Sequence, residues 1–259
     1  MTNQIHPTAI VDPEATLGED ITIGPNCIIG PRIIIGSGVR IGANTIIENF
    51  TTIGEGCRIF YHAVLGTEPQ DLKFKGEESH LVIGPNTTIR EFVTMNRGTK
   101  EGGGVTRVGE GCYLMAYAHV AHDCQVGNRV ILANAVNLAG HIIIGDHAVV
   151  GGISAVHQFV SIGEHAFIGG CSAVTKDVPP YVRAVGNHAR MFGVNSIGLS
   201  RKGFSGETIA QIKRAYRYLI SSKMNTTQVL EAIEKNLPAS DEIQKITTFI
   251  RSSERGICK

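Results

Sequence analysis

Apolar residues recur along this chain every six positions. An aliphatic residue or methionine occupies each sixth position over residues 5–65, again over 83–95, and again over 108–174. An α-helix repeats its apolar face about every 3.6 residues and a half-buried strand about every 2, so neither element alone explains this period. A fixed repeat of this kind is typical of a solenoid, in which each turn of the chain packs on the turn before it.

A second position of each hexad is also restricted. The residue four places after the aliphatic one is usually small: Ala15, Cys27, Val39, Thr45, Thr51, Cys57, Ala63, Thr87, Cys112, Ala118, Cys124, Ala148, Ser154, Ala166 and Ser172. Two inward positions per hexad indicate a short strand and a turn around a narrow, filled interior. The pattern predicts a parallel β-helix of about eight to nine coils, about 40 Å long at a strand spacing of about 4.8 Å. A β-sandwich would instead alternate with period 2 and space its turns irregularly.

Glycine and cysteine have regular places in this repeat. Glycine follows many of the aliphatic residues, as in IGPNC, IGSGV and IGEGC, and we interpret it as supplying the unusual backbone angles of a tight turn. Cys27, Cys57, Cys112 and Cys124 occupy the small inward position. We therefore expect these cysteines to fill the core rather than to form disulfides or a zinc site.

Two polar segments, 66–82 and 97–107, interrupt the period. A solenoid places such insertions outside its core, often at a binding face. The repeat ends near Pro179 and Pro180, and helical patterns follow. We therefore divide the chain into a β-helix over 1–190 and a helical domain over 191–259.

The helical domain shows three predicted helices. Residues 207–222 place four apolar side chains on one face, namely Ile209, Ile212, Tyr216 and Leu219. Thr226 or Thr227 is expected to cap a second helix, and Ser240 a third. Residues 201–259 hold eleven Lys and Arg against six Asp and Glu, so the tail is the basic part of the chain.

Composition excludes several classes of protein. A hydrophobic fraction of 42% is ample for a core and excludes a disordered chain. No apolar run approaches the roughly 20 residues that span a bilayer, and the N-terminal stretch lacks the features of a signal peptide. We expect a cytoplasmic protein that binds no nucleic acid.

The stretch AHVAHDCQVGN, residues 118–128, carries candidate chemistry. Because Val120 is an inward position, the histidines on either side of it should point outward, and two further histidines fall near the same edge after 18-residue steps. The four are His119, His122, His141 and His157. A neutral histidine is a suitable general base, and the adjacent Asp123 can hold its tautomer and stabilise the imidazolium.

Other catalytic arrangements are not indicated. The chain has no G-x-S-x-G elbow and no outward cysteine near the histidine pair, so we expect direct attack by a substrate hydroxyl that His122 deprotonates. The edge of a β-helix is convex, and a pocket there needs a wall from a loop or another chain. The sequence therefore predicts a site between subunits.

The chain resembles the hexapeptide-repeat acyltransferases, and among them the UDP-N-acetylglucosamine acyltransferases that begin lipid A synthesis. The resemblance covers the whole chain and rests on QDLKFKGE, HVAHDC, LAGH, AVHQF, GGCSAVTKDVPPY, GNHARMFGVN and RKGFS. It implies a left-handed parallel β-helix, against the usual right-handed crossover rule. It also implies a homotrimer that transfers a 3-hydroxyacyl chain from acyl carrier protein to the 3-position of UDP-N-acetylglucosamine, with no cofactor and no metal.

The resemblance also implies roles for individual residues. His122 matches the general base, Asp123 its partner, and Gly140 a backbone NH that holds the oxyanion. Gly170 matches the residue that ends the acyl-chain ruler. Substrate-binding roles fall on Asp71, Lys73, His119, His141, His157, Gln158, Asn195 and Arg201.

Two positions depart from the family pattern. Asn96 stands in TMNRGT where histidine is frequent, and Lys202 follows Arg201 where a second guanidinium would bind phosphate in a bidentate manner. These differences leave the 3-amino analogue of the sugar nucleotide as an alternative acceptor. Rivals from other classes are a metalloenzyme similar to γ-carbonic anhydrases, a non-catalytic scaffold, and a sister N-acyltransferase with an additional N-terminal domain.

Overall fold

The computed structural model describes residues 2–221 and 224–259, and the part from β1 (Gln4–Ile5) to β26 (Ala173–Val174) winds as the predicted left-handed parallel β-helix. Its three faces are three sheets. Sheet A contains β1 (Gln4–Ile5), β4 (Thr22–Ile23), β7 (Arg40–Ile41), β10 (Arg58–Ile59), β13 (Thr88–Ile89), β16 (Tyr113–Leu114), β19 (Ile131–Leu132), β22 (Val149–Val150), β25 (Phe167–Ile168), β27 (Val182–Val185) and β28 (Arg190–Val194). Sheet B contains β2 (Ile10–Val11), β5 (Ile28–Ile29), β8 (Ile46–Ile47), β11 (Val64–Thr67), β14 (Thr94–Asn96), β17 (His119–Val120), β20 (Asn137–Leu138), β23 (Ala155–Val156) and β26 (Ala173–Val174). Sheet C contains β3 (Thr16–Leu17), β6 (Ile34–Ile35), β9 (Thr51–Ile53), β12 (His80–Ile83), β15 (Val105–Val108), β18 (Gln125–Val126), β21 (Ile143–Ile144) and β24 (Ser161–Ile162).

Turns between the sheets form three edges of the prism. Edge BC joins sheet B to sheet C and includes residues 121–124, 139–142 and 157–160. Edge CA includes residues 127–130, 145–148 and 163–166, and edge AB includes 133–136, 151–154 and 169–172. Because successive strands of one sheet pair in register 18 residues apart where no loop intervenes, side chains of one turn position stack in columns along each edge.

The two predicted inward positions line the core. The aliphatic residues are buried from Ile23 onward, whereas Ile5 in the first coil is 42% exposed because no coil covers it. The four cysteines at the small position are buried free thiols, as predicted. Cys27, for example, donates its thiol to the Gly42 carbonyl at 3.1 Å, and Thr45 and Ser154 make equivalent bonds with their hydroxyls.

The predicted reason for the repeated glycine is wrong. Apart from Gly66 at the start of the first insertion, the glycine directly after the aliphatic position does not take positive φ. The positive-φ position comes later in the turn and holds Asn26, Asn44 or His141, among others. Glycine is needed for close stacking instead. A Cβ on Gly36 would lie 2.5 Å from the Glu55 backbone nitrogen of the next coil, closer than any real contact allows.

Both polar insertions leave a sheet B strand and return to a sheet C strand, so both lie on edge BC. The irregular parts are shorter than the predicted segments, spanning residues 68–79 and 97–104, because β11, β12 and β15 extend into them by pairing with their neighbours.

The tail contains α1 (Ser196–Arg201), α2 (Gly206–Ser221), α3 (Thr226–Asn236) and α4 (Asp241–Ser252). The sequence did not predict α1, and residue 222 of the first predicted helix, which corresponds to α2, lies outside the described residues. The four apolar residues of α2 are buried as predicted, and Tyr216 donates its hydroxyl to the Pro180 carbonyl at 2.6 Å. The expected boundary at 190/191 falls at the start of β28, which pairs antiparallel with β27. Across the described residues, no helix is both long and apolar enough to cross a membrane.

One helix cap differs from the prediction. Asn225, rather than Thr226 or Thr227, caps α3, because its side chain accepts from the Gln228 backbone while the Gln228 side chain accepts from the Asn225 backbone. This reciprocal pair satisfies two otherwise unpaired donors, which a threonine one residue later could not do without shortening the helix. Ser240 caps α4 as predicted.

Candidate functional site

His122 and Asp123 form an ion-pair geometry on edge BC. The Nδ1 atom of His122 lies 2.8 Å from Oδ2 of Asp123, with side chains that are 13% and 1% exposed. The turn position of Asp123 requires φ of 61°, a conformation that aspartate tolerates better than most residues. The contact with the carboxylate holds Nδ1 as the donor, which leaves Nε2 as the proton acceptor.

The 97–104 loop holds the Asp123 carboxylate. The backbone NH of Thr99 donates to Oδ1 at 2.8 Å, and the Thr99 hydroxyl donates to Oδ2 at 2.7 Å. A Cβ on Gly102 would overlap the carboxylate, so glycine is required there for close approach. The Asp123 NH itself donates to the Thr106 hydroxyl at 2.7 Å. The carboxylate is thus desolvated by a loop that also supplies its hydrogen bonds.

Gly140 and His141 complete the same edge one coil later. A Cβ on Gly140 would lie 2.6 Å from Cε1 of His122, so the Gly140 backbone packs directly against the imidazole. The Gly140 NH has no hydrogen-bond acceptor among the described residues. His141 places Nε2 3.7 Å from Asp123 Oδ2, and its ring stacks on Phe159 at 4.5 Å between centroids. An unpaired NH beside a histidine base is the arrangement that stabilises an oxyanion.

The other histidines surround this centre. His119 places Nδ1 2.7 Å from the Thr94 hydroxyl, and burial, followed by the proximity of His122, lowers the pKa of His119. The lowered pKa favours the neutral form of His119. His157 is exposed in the next turn of the same edge, with its Nδ1 3.1 Å from the carbonyl of Gln158.

Asp71 and Lys73 lie on the 68–79 loop, also on edge BC. Asp71 accepts from the Lys73 backbone at 2.9 Å, and the exposed Lys73 ammonium lies 3.7 Å from Glu101 of the neighbouring loop. Asn96 is buried and donates to the Thr67 hydroxyl at 2.8 Å and the Glu68 carbonyl at 2.7 Å. Asn96 therefore anchors the base of this loop.

The remaining predicted site residues lie on other edges. Asn195 caps α1 and donates to the His165 carbonyl at 3.1 Å, and the exposed Arg201 ends the same helix, beside edge CA. Gly170 lies on edge AB, where a Cβ would approach only the Gly152 backbone, at 3.2 Å. One protomer therefore brings together the residues of edge BC but not these three.

The ligand atoms of His122, Asp123 and His141 all lie within 4.8 Å of one another, so the set could hold a metal. The donor chemistry does not fit an ion well. Oδ2 of Asp123 already accepts from the Thr99 hydroxyl and lies against His122 Nδ1, and Oδ1 accepts from the Thr99 NH. A metal would have to displace these hydrogen bonds, so an oriented base describes the geometry better.

The sequence missed Thr99, Gly102, Thr106 and Thr94. Contacts across 17 to 25 residues depend on the path of an insertion, which the six-residue period does not describe. The one available signal was the run Gly102–Gly104 in a polar insertion, since consecutive glycines often mark close backbone approach.

Comparisons with known proteins identify the family of this chain. The sequence model of the family described as Udp N-acetylglucosamine O-acyltransferase, domain 2, matches residues 177–258, and a bacterial transferase hexapeptide model matches residues 106–140. The acyl-[acyl-carrier-protein]--UDP-N-acetylglucosamine O-acyltransferase of Thermodesulfovibrio yellowstonii is 46% identical, over 99% of this chain and 100% of its own length.

Solved structures show the same fold. The LpxA structure from Acinetobacter baumannii has a TM-score of 0.96 and 44% identity, covering 98% of this chain and 99% of its own. The UDP-N-acetylglucosamine acyltransferase of Bacteroides fragilis has a TM-score of 0.97 and 45% identity, covering 99% and 100% of the two chains. The chain therefore belongs to the UDP-N-acetylglucosamine O-acyltransferase family of hexapeptide-repeat proteins.

Proposed function

We propose that this protein transfers a 3-hydroxyacyl group from acyl carrier protein to the 3-hydroxyl of UDP-N-acetylglucosamine, with His122 as general base. The observation that carries the assignment of the base is the 2.8 Å contact of His122 Nδ1 with a buried, loop-held carboxylate. Family membership supports both substrates. A cytoplasmic location, expected from the sequence, is part of the same proposal.

The reaction follows from these positions. The sugar hydroxyl attacks the thioester carbonyl while His122 Nε2 takes its proton, and Asp123 stabilises the imidazolium. The Gly140 NH, which lacks another acceptor among the described residues, donates to the oxyanion. Collapse of the intermediate breaks the carbon–sulfur bond, and the imidazolium returns its proton to the thiolate of the carrier.

In this proposal the 68–79 loop holds the acceptor. Asp71 and Lys73 would bind the sugar nucleotide from the 68–79 loop, with His119, His141, His157 and Gln158 lining edge BC. Asn96 makes its contacts inside the protein, so its difference from histidine need not change the acceptor directly. This supports UDP-N-acetylglucosamine over the 3-amino analogue.

We propose a homotrimer for two reasons. Asn195 and Arg201 lie beside edge CA, so only another protomer could bring them to the His122 of this one. The outer face of sheet B also exposes a column of large aliphatic residues, including Ile10 at 65% and Ile28 at 43%. A face of this kind is typical of a subunit interface.

We propose that Gly170 on edge AB ends the acyl-chain ruler and so limits the length of the acyl chain. Between Gly140 and Gly170 the outer face of sheet B carries Ala155 and Ala173, whose small side chains leave room for an acyl chain under a neighbouring protomer. Gly170 does not take positive φ, and Asn134 occupies its column two coils earlier, so the turn itself accepts a side chain. Gly170 would therefore set where the chain ends.

The test of function is His122→Ala. Its turnover of 3-hydroxyacyl carrier protein and UDP-N-acetylglucosamine should fall by at least about 100-fold, the usual contribution of a general base. The melting temperature should be nearly unchanged, because the side chain packs outside the core. Retention of more than about a tenth of wild-type kcat would assign the base elsewhere. Zinc that is stoichiometric and lost together with activity would favour the metalloenzyme.

Gly170→Met tests the ruler. Each additional buried CH₂ contributes about 0.8 kcal/mol, and overfilling a packed site costs about 1–3 kcal/mol, so the preferred donor should shorten by several carbons. Competition among 3-hydroxyacyl carrier proteins of different length measures the optimum. Equal losses for every donor would mean that the substitution disturbs the turn and that Gly170 is not a ruler.

A further inference from the structure

Arg97 lies where the two loops of edge BC meet. It directly follows β14 and comes two residues before Thr99, which holds the carboxylate beside the proposed base. The Arg97 side chain is 7% exposed, and it reaches the start of the other loop. Its Nη1 donates to the Gly66 carbonyl at 3.2 Å, and its Nη2 lies 3.4 Å from Oε1 of Glu68. One buried guanidinium therefore joins the loop that supports the base to the 68–79 loop.

The stability of the fold does not explain this arginine. Its ion-pair partner Glu68 is 67% exposed, and a separation of 3.4 Å is long for a charge-assisted hydrogen bond. The Nε atom of Arg97 is buried and has no hydrogen-bond partner among the described residues. A buried charge with incomplete partners costs free energy that a well-packed apolar side chain of similar volume would not.

The guanidinium also contacts aromatic rings from two parts of the chain. Its Cζ lies 5.4 Å from the ring centroid of Phe74 and 6.0 Å from that of Phe50. Both distances fall within the range of cation–π contacts, which extends to about 6 Å. Phe50 lies in the β-helix, in the turn between β8 and β9, whereas Phe74 lies within the 68–79 loop. Arg97 thus connects the loop to the β-helix.

Phe74 closes the turn that carries two of the proposed acceptor contacts. Its NH donates to the Asp71 carbonyl at 3.0 Å, and Oδ1 of Asp71 accepts from the Lys73 NH at 2.9 Å. A contact that holds the Phe74 ring therefore also holds the Asp71 and Lys73 side chains in place. A second link, from the Lys73 ammonium to Glu101, joins two exposed side chains and contributes little.

We propose that Arg97 is a positioning residue for the acceptor, and that it acts by holding the Phe74 ring and with it the turn of residues 71–74. The inference rests on the proposed function, because that function gives the turn its ligand. Arg97 itself does not touch the substrate. Backbone bonds from Arg97 to Thr67 and from Gly98 to His80 hold the start of the 97–104 loop without the side chain. Loss of the guanidinium should therefore weaken acceptor binding and spare the base.

The experiment measures steady-state acyl transfer by two single variants and their double. Arg97→Lys keeps the charge but lacks the planar guanidinium, and Phe74→Leu keeps an apolar side chain but removes the ring. Each should raise the KM for UDP-N-acetylglucosamine about tenfold, as expected for a desolvated cation–π contact. The kcat and the KM for the acyl carrier protein should stay within about twofold of wild type. The double variant should be no worse than either single variant, because both remove the same contact.

Two further variants serve as controls. Phe74→Tyr keeps the ring and should behave as wild type, which separates the cation–π contact from a general disturbance of the loop. Arg32→Gln is the matched control on the β-helix side. The Arg32 Cζ lies 4.4 Å from the same Phe50 ring, but its ion pair is with Glu14, outside the loop, so the KM for the acceptor should not change.

Three outcomes would overturn the inference. They are an unchanged acceptor KM in Phe74→Leu, a double variant in which the two effects multiply, and a fall in kcat larger than the rise in KM, which would mean that Arg97 acts on the base through Thr99. Phe74→Leu and Phe74→Tyr keep the test decisive even where Arg97→Lys folds poorly. Failure of the proposed function is distinguishable, since the wild-type protein would then transfer no acyl group to UDP-N-acetylglucosamine, or His122→Ala would be fully active.

Discussion

Edges BC and CA carry histidines at the same turn position and give them different surroundings. His141 on edge BC and His147 and His165 on edge CA each take φ between 54° and 60°, so the backbone presents them alike. His141 faces the Asp123 carboxylate at 3.7 Å. His165 stacks on His147 at 4.7 Å and lies 5.0 Å from Phe204, and no described carboxylate forms an ion pair with its ring.

The cover over each edge makes this difference. On edge CA the segment after α1 buries the imidazoles, and burial, followed by the proximity of His147, lowers the pKa of His165 to about 4. Burial also lowers the pKa of His147. On edge BC the 97–104 loop covers Asp123, whose side chain is 1% exposed, and leaves that of His122 13% exposed. A histidine on one of these edges is a candidate general base only where the covering segment buries a neighbouring carboxylate rather than the imidazole itself.

Among the variants that test this difference, Asp123→Asn on edge BC should lower kcat most. An Asn side chain suits φ of 61°, so the turn should persist, but its amide NH₂ can donate to His122 Nδ1 and favour the tautomer whose Nε2 carries the proton. That tautomer cannot accept a proton, and kcat should fall by at least about 100-fold.

His165→Phe is the matched variant on the other edge. Its kcat in the same acyl-transfer assay should stay within about twofold of wild type, because edge CA of this protomer contributes no group to the proton transfer. An Asp123→Asn variant within threefold of wild type would remove Asp123 from the mechanism.

Thr99→Val tests whether the 97–104 loop positions the Asp123 carboxylate. Valine keeps the shape of threonine but removes the hydroxyl that donates to Asp123 Oδ2 at 2.7 Å, and a buried charged group then loses a hydrogen bond. We expect kcat to fall by about tenfold, since such a bond contributes about 1.5–3 kcal/mol. Thr99→Ser keeps the hydroxyl and should restore most of the rate. Equal rates for the two variants would show that the loop does not position the carboxylate.

The buried histidine of edge CA should affect stability rather than rate. Because the pKa of His165 is about 4 when folded against 6.5 in its ordinary state, the unfolded chain binds more protons between these values. The free energy of unfolding should therefore fall as pH drops from about 6.5 to about 4, by up to about 3 kcal/mol from this group. Denaturant unfolding of the wild-type protein and of His165→Phe at pH 7.5 and 4.5 measures this fall in the free energy of unfolding. Equal losses of stability in both proteins would contradict the assignment.

Much of the fold could be predicted because its period is short and local. Each inward aliphatic residue is followed by a turn of constant length, so one register error would expose a whole face, and the pattern allows no second solution over 108–174. The direction of His119, His122 and His141 followed from the same count. The reason for the repeated glycine could not be predicted from this count. The distance between stacked coils depends on two turns in successive coils, whereas the six-residue pattern describes each turn by itself.

The chain alone was enough to determine which side chains point outward, how many coils stack, and that His122 precedes a carboxylate. It could not show that Thr99 and Gly102 bury that carboxylate, or that the segment after α1 covers His165. These contacts join residues separated by 21 to 39 positions across irregular segments. A periodic strand is specified by its own hexad, whereas the environment of a titratable group depends on whichever distant segment excludes water from it.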